Sequence, residues 1–168
     1  MRRAQGAIHI FTFKAGVLSA VAHDLRVVLP AFEITLDGTT VRAEFDLKSL
    51  LVEGPVVQGV LLADKYDAGK RADVAKAMHA DVLRTDRHPK ASFTGSAVAS
   101  AEGYHVDGQL ELVGKHQPLA FDVRNDAGTY RARFELQLSR WGISQYKALL
   151  GAIKLKDVLK VELVLTEA

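Results

Sequence analysis

The chain has 168 residues, 48% of them hydrophobic and 25% charged, the profile of a soluble globular protein and a length that suits a single domain (1–168) with a substantial core. Its 22 Lys and Arg against 20 Asp and Glu leave a formal charge of only +2, so nothing in the charge balance calls for nucleic acid. Cysteine is absent, which excludes disulfides and thiolate metal sites, and no stretch approaches the roughly 20 apolar residues of an integral membrane segment. Arg2-Arg3 is followed by no unbroken apolar run, so the N-terminus does not read as a secretory signal and a cytoplasmic location is expected.

In chain order, residues 7–14 alternate with apolar groups on both faces, as in a strand covered on both sides. Residues 17–22 are apolar and ambiguous between strand and short helix. Leu25, Val27 and Leu29 share one face; Phe32, Ile34 and Leu36 resume one residue out of phase, which a bulge or bend at Pro30 explains. Asp37-Gly38 signals a hairpin. Val41, Ala43, Phe45 and Leu47 then oppose Arg42, Glu44 and Asp46 in an inside–outside strand. Residues 48–63 begin as a loop around Gly54-Pro55 and turn apolar afterwards. Residues 68–83 repeat Val74, Met78 and Val82 every four, which predicts an amphipathic helix closing one end of the fold, with Asp67 as its N-cap.

The second half is strand after strand. His88-Pro89 ends the helical segment. Residues 91–100, 104–113, 118–124, 129–138 and 157–165 alternate or nearly so. Gly114 sits where a hairpin needs positive φ, Pro118 lies at a strand start, and 125–128 is a turn cluster. The count is about eight strands and one dependable helix. Such strands close into a barrel or stack as a sandwich, and alternation alone barely separates the two.

Three pieces of this pattern resemble the YceI-like family of small lipid-binding proteins. They are residues 83–93, with His-Pro followed by Ala-Ser-Phe; residues 108–123, with Gly-Lys-His-Gln-Pro between two strands; and residues 138–165, opening Leu-Ser-Arg-Trp-Gly-Ile-Ser. The early His23-Asp24-Leu25 is similar to one branch of that family. The resemblance implies an all-β fold with one or two short helices: an antiparallel eight-stranded lipocalin-like β-barrel, an amphipathic helix near one end, and a long interior holding a polyisoprenoid or other amphiphilic lipid. Many relatives are exported, so a periplasmic location after removal of a signal peptide is the alternative to a cytoplasmic one.

On this fold the alternation turns Val27, Leu29, Phe45, Phe93, Gly95, Leu110, Leu112, Phe121, Phe134 and Leu136 inward as the candidate cavity lining. Small groups at Gly95, Ala97 and Gly108 either leave room for a ligand or ease the bending of a solid barrel. The candidate mouth holds His23, Arg140, Trp141 and Tyr146: Arg140 can meet an anionic head, and Trp and Tyr suit a rim. The bland alternatives are that Trp141 plugs the barrel and Arg140 pairs on the surface.

The chemistry-bearing motifs are few. The six histidines lack the spacing of a helical zinc site, and no nucleophile elbow or phosphate loop is present, so no catalytic residue, metal or cofactor is assigned. The expected function is non-catalytic binding, transport or sequestration of a long-chain amphiphilic lipid. The alternatives are an enzyme acting on a lipid-like substrate with His23 or another histidine as base, and a solid barrel serving as a partner-binding domain. An exposed apolar patch, or a homodimer formed through the last strand, would favour the latter.

Overall fold

The computed structural model describes residues 1–15, 24–148 and 153–168. Its strands in chain order are β1 (Arg2–Thr12), β2 (Lys14–Ala15), β3 (Asp24–Val28), β4 (Phe32–Asp37), β5 (Thr40–Asp46), β6 (Leu51–Val57), β7 (Val60–Leu61), β8 (Lys90–Ser100), β9 (Gly103–Leu112), β10 (Lys115–Asp126), β11 (Thr129–Gln137), β12 (Lys147–Ala148), β13 (Ile153–Leu155) and β14 (Val158–Glu167). One helix, α1 (Ala68–Ala77), continues into a wider turn at Met78–Val82. Eight strands form a closed antiparallel ring in the order β14-β11-β10-β9-β8-β5-β4-β1, and β1 returns to β14 to complete it. Hairpin connections and period-two burial build this ring: Ala91, Phe93 and Ala97 are buried on β8, and Val106, Leu110 and Leu112 on β9, while Thr94, Ser96, Asp107 and Gln109 between them are exposed.

The change of phase at Pro30 is a bend. β1 pairs with β4 through its first residues, Arg2 to Ala4, and with β3 through its last, His9 to Thr12. One long course of chain thus breaks at 29–31 and sends β3 to pair with β6 outside the ring. The turn Leu47–Ser49 breaks the facing course in the same way, and α1 packs against β6. Together these elements cover one end, called here the helix end. The other, where β1 begins and β14 finishes, is the far end.

Several boundaries differ from the sequence reading. The loop expected around Gly54-Pro55 is strand β6. Its pairing with β3 shifts register beside Arg26 and Val27, Gly54 takes φ +148, and buried Pro55 sits at this irregularity, where a missing donor is tolerated. β1 starts at Arg2 rather than near Ala7, and β10 at Lys115 rather than Pro118. The tight turn is Val113-Gly114, with φ 52 and 73. The helix is not one uniform element over 68–83. Leu83 N–H donates to Met78 C=O at 3.0 Å, one residue further than an α-helix reaches, and this widening keeps Val74, Met78 and Val82 on one face. Asp67 caps the helix as expected, accepting from Lys70 N–H at 2.8 Å. Residues 17–22 and His23 lie outside the described residues.

Pro118 is in mid-strand because one edge of β10 is unpaired there. β10 and β11 share a ladder only from Arg124↔Arg131 to Asp126↔Thr129. Nearer the helix end the two strands part, and the turn Leu138–Trp141 fills the gap. The Pro118 carbonyl faces this gap and accepts from Arg140 Nη2 at 3.0 Å. A strand residue's N and C=O point the same way, so the absent N–H of Pro118 forfeits no ladder bond.

Candidate functional site

The barrel interior is open. A cavity of about 650 Å³ runs between the two ends, with a wall that is overwhelmingly apolar. Inward strand positions supply most of it, while α1 and the turn after it add Val74, Met78 and Val82 at the helix end. The volume falls within the range of small-molecule sites, roughly 300–1,000 Å³. Many inward residues are only partly buried, including Phe45, Phe121, Phe134 and Leu136, because they face this space rather than other side chains.

Of the residues singled out in the sequence, Val27, Leu29, Phe45, Phe93, Leu110, Leu112, Phe121, Phe134 and Leu136 face the cavity, and so does Tyr146. Gly95 does not. It stands opposite Gly108 across β8 and β9, and a Cβ on Gly95 would lie 2.7 Å from Gly108 Cα. A Cβ on Gly108 would lie 2.6 Å from the tip of Phe93. The missing side chains therefore let two backbones and one ring approach closely; the room they leave is filled. Ala97, the third small residue, is on the cavity wall.

Arg140 and Trp141 lie away from the cavity. Trp141 is 1% exposed, and its Nε1–H donates to Leu110 C=O at 2.9 Å. Arg140 lies over the indole at 5.4 Å, donates to Pro118 C=O, and accepts on its own carbonyl from Gln117 Nε2 at 2.8 Å. The pair seals the gap between β10 and β11: Arg140 donates to the Pro118 carbonyl, which β11 does not reach, and Trp141 donates to the Leu110 carbonyl of β9. Above this seal Phe121 of β10 and Phe134 of β11 stack at 4.4 Å and 22°, so aromatic contact continues the wall where the ladder stops. His23 is outside the described residues.

The polar groups that do reach the cavity gather at its ends. Tyr66, Asp73, Ser144, Gln145, Tyr146, Lys156 and Asp157 stand at the helix end. Arg2, Arg3, Tyr104, Tyr130 and Glu167 stand at the far end. There Arg2 Nη1 donates to Glu167 Oε1 at 3.0 Å, the Tyr130 hydroxyl donates to the same oxygen at 3.3 Å, and the two tyrosine rings lie 6.2 Å apart. This group was missed in the sequence. The tyrosines carried a signal, since each stands at an inward position just after a turn. Arg2 and Glu167 carried none, because the terminal strands run further than their alternation showed.

None of the five described histidines lines the cavity. His9 approaches Glu53 at 3.8 Å, His105 bonds Asp122 at 2.7 Å and His116 lies 3.4 Å from Glu111. The His79 ring spans Thr85 Oγ1 at 3.1 Å and Leu50 C=O at 3.2 Å, fixing the end of the helical segment to the turn beneath it. No helix among the described residues is long and apolar enough to cross a membrane.

A closed eight-stranded antiparallel barrel around an elongated apolar cavity defines a lipocalin-like architecture. Within that class the chain belongs to the YceI-like family, whose domain model matches residues 12–166. Solved structures share the fold at low identity. BcnA of Burkholderia cenocepacia is 16% identical, with a TM-score of 0.62 over 95% of this chain and 94% of its own. A polyisoprenoid binding domain from Saccharophagus degradans, implicated in plant cell wall breakdown, is 11% identical, with a TM-score of 0.63 over 98% and 97%. A Campylobacter jejuni YCEI protein is 8% identical, with a TM-score of 0.56 over 84% of each chain. No curated protein sequence matches the chain significantly.

Proposed function

We propose that the chain is a non-catalytic, single-domain binding protein that holds one long-chain amphiphile, a polyisoprenoid or a lipid of similar shape, inside the barrel and so carries or sequesters it. The observation that carries this reading is the apolar cavity of about 650 Å³ with polar groups only toward its ends. Such a site gains its affinity by taking hydrocarbon out of water and leaves a polar head near a mouth. The S. degradans domain, which shares the fold, is described as polyisoprenoid-binding, and this supports the same ligand class here. Placing the described histidines off the wall favours binding over a histidine-assisted reaction.

The test is a series of straight-chain alcohols of increasing length, titrated against the delipidated protein. Burial of each methylene contributes about 0.8 kcal/mol, or about fourfold in affinity. Affinity that climbs by about this factor per carbon and then levels off when the cavity is full supports the reading. A flat series, or no binding, overturns it.

A further inference from the structure

At the far end of the cavity stands a group of side chains whose charges cancel. Glu167 Oε1 accepts from both Arg2 Nη1 and the Tyr130 hydroxyl, and Tyr104 stands beside them. Glu167 first, and then Tyr104, hold the Arg2 guanidinium above its ordinary range, so Arg2 remains a cation. Burial first, and then Glu167, push the Tyr130 hydroxyl up, so it stays neutral. One cation, one carboxylate and two phenols sum to zero. Arg3, the other cation on the cavity wall at this end, faces Glu33 at 3.7 Å, and outside the wall Arg124 meets Glu102 at 3.1 Å and Arg131 meets Asp126 at 3.7 Å.

An anionic head seated here would press against Glu167 or have to displace it from Arg2. An uncharged head with a hydroxyl or carbonyl meets no such conflict. A carboxylate accepts at two oxygens, and both observed bonds use one of them; a guanidinium has five N–H donors, and phenols both donate and accept. We propose that this rim is the headgroup subsite and that Glu167, by neutralising Arg2, selects amphiphiles with uncharged, hydrogen-bonding heads over carboxylates and phosphates. The inference rests on the reading of the cavity as a lipid site and adds to it which heads are accepted and by which residue.

Dodecanol, dodecanoate and dodecyl phosphate share one chain and differ in head, so their affinities for the delipidated protein at neutral pH isolate the rim. The wild type should bind dodecanol about tenfold or more tightly over either anion, since like-charge juxtaposition costs at least about that factor. Glu167→Gln frees Arg2 and should narrow or reverse the preference, chiefly by strengthening the anions. Arg2→Gln leaves the carboxylate uncompensated and should widen it. Both side chains are more than half exposed, so the variants should melt close to the wild type. Equal binding of all three probes, unchanged in both variants, overturns the subsite while leaving the lipid cavity standing. Failure of the wild type to bind any of them overturns both.

Discussion

Replacing Trp141 with phenylalanine separates a structural plug from a ligand-contacting rim residue. The indole is 1% exposed and donates to Leu110 C=O at 2.9 Å. Phenylalanine keeps most of the apolar body but removes the donor, a loss of about 1–2 kcal/mol for a buried hydrogen bond. The smaller ring leaves a void in a packed site, adding about 1 kcal/mol. The sum, about 2–3 kcal/mol, lowers Tm by about 4–12 °C for a domain of this size. Thermal unfolding must be followed on delipidated protein, because a bound ligand raises Tm by itself. Affinity for a long-chain alcohol, measured well below Tm, should stay within about twofold of wild type, since the indole is off the cavity wall. A variant that melts like the wild type but loses lipid affinity would refute this reasoning and return Trp141 to the mouth.

Three other perturbations follow from the geometry. Phe134→Ala would cost about 3–5 kcal/mol in a solid core, but Phe134 faces the cavity and has Phe121 stacked on one side, so urea denaturation should show about 1.5–2.5 kcal/mol; a full core-sized loss would mean the interior is closed. Gly108→Ala would drive a Cβ into the Thr94 carbonyl and to 2.6 Å from the Phe93 tip, so a loss of about 1–3 kcal/mol or more is expected, and an unchanged denaturation midpoint would show the strands can separate freely. Burial alone would raise the Asp157 carboxyl, but hydrogen bonds from the Ser139 hydroxyl (2.5 Å) and N–H (2.8 Å) outweigh it and hold the group below its ordinary 3.8. Its folded pKa being depressed, the stabilisation is complete above about pH 4 and disappears as pH falls through the folded value. The Tm gap between wild type and Asp157→Asn should therefore be open at neutral pH and close in acid, and a gap independent of pH would contradict this.

The barrel was legible because its signals are local. Period-two alternation in 41–47, 91–100 and 129–138 marks half-buried strands wherever their partners lie, and Gly38 and Gly114, at φ 60 and 73, mark hairpins by backbone sterics alone. The same alternation turned nine of the ten nominated wall residues toward the cavity. Gly95 was misread because a missing side chain in a one-dimensional pattern looks like space, whereas here the backbone and the ring across from it take that space. Gly54-Pro55 was misread because tertiary pairing with β3 overrode a strong local breaker. Arg140 and Trp141 were misplaced for a non-local reason. The Pro118 carbonyl that Arg140 meets is free only because β10 and β11 part company, and the Leu110 carbonyl that Trp141 meets is on β9, 31 positions away; nothing in the local sequence announces either contact. The Arg2–Glu167 pair spans 165 positions and depends on barrel closure itself.

The most direct measurement of the central claim is native mass spectrometry of the purified protein, followed by denaturing extraction and lipid analysis. A discrete additional mass that leaves on denaturation and is recovered as a long-chain lipid is the expected result, and it would name the ligand class. A bare polypeptide mass, unchanged after incubation with polyprenyl and fatty-acid mixtures, would contradict the account and show that the cavity is not a lipid site.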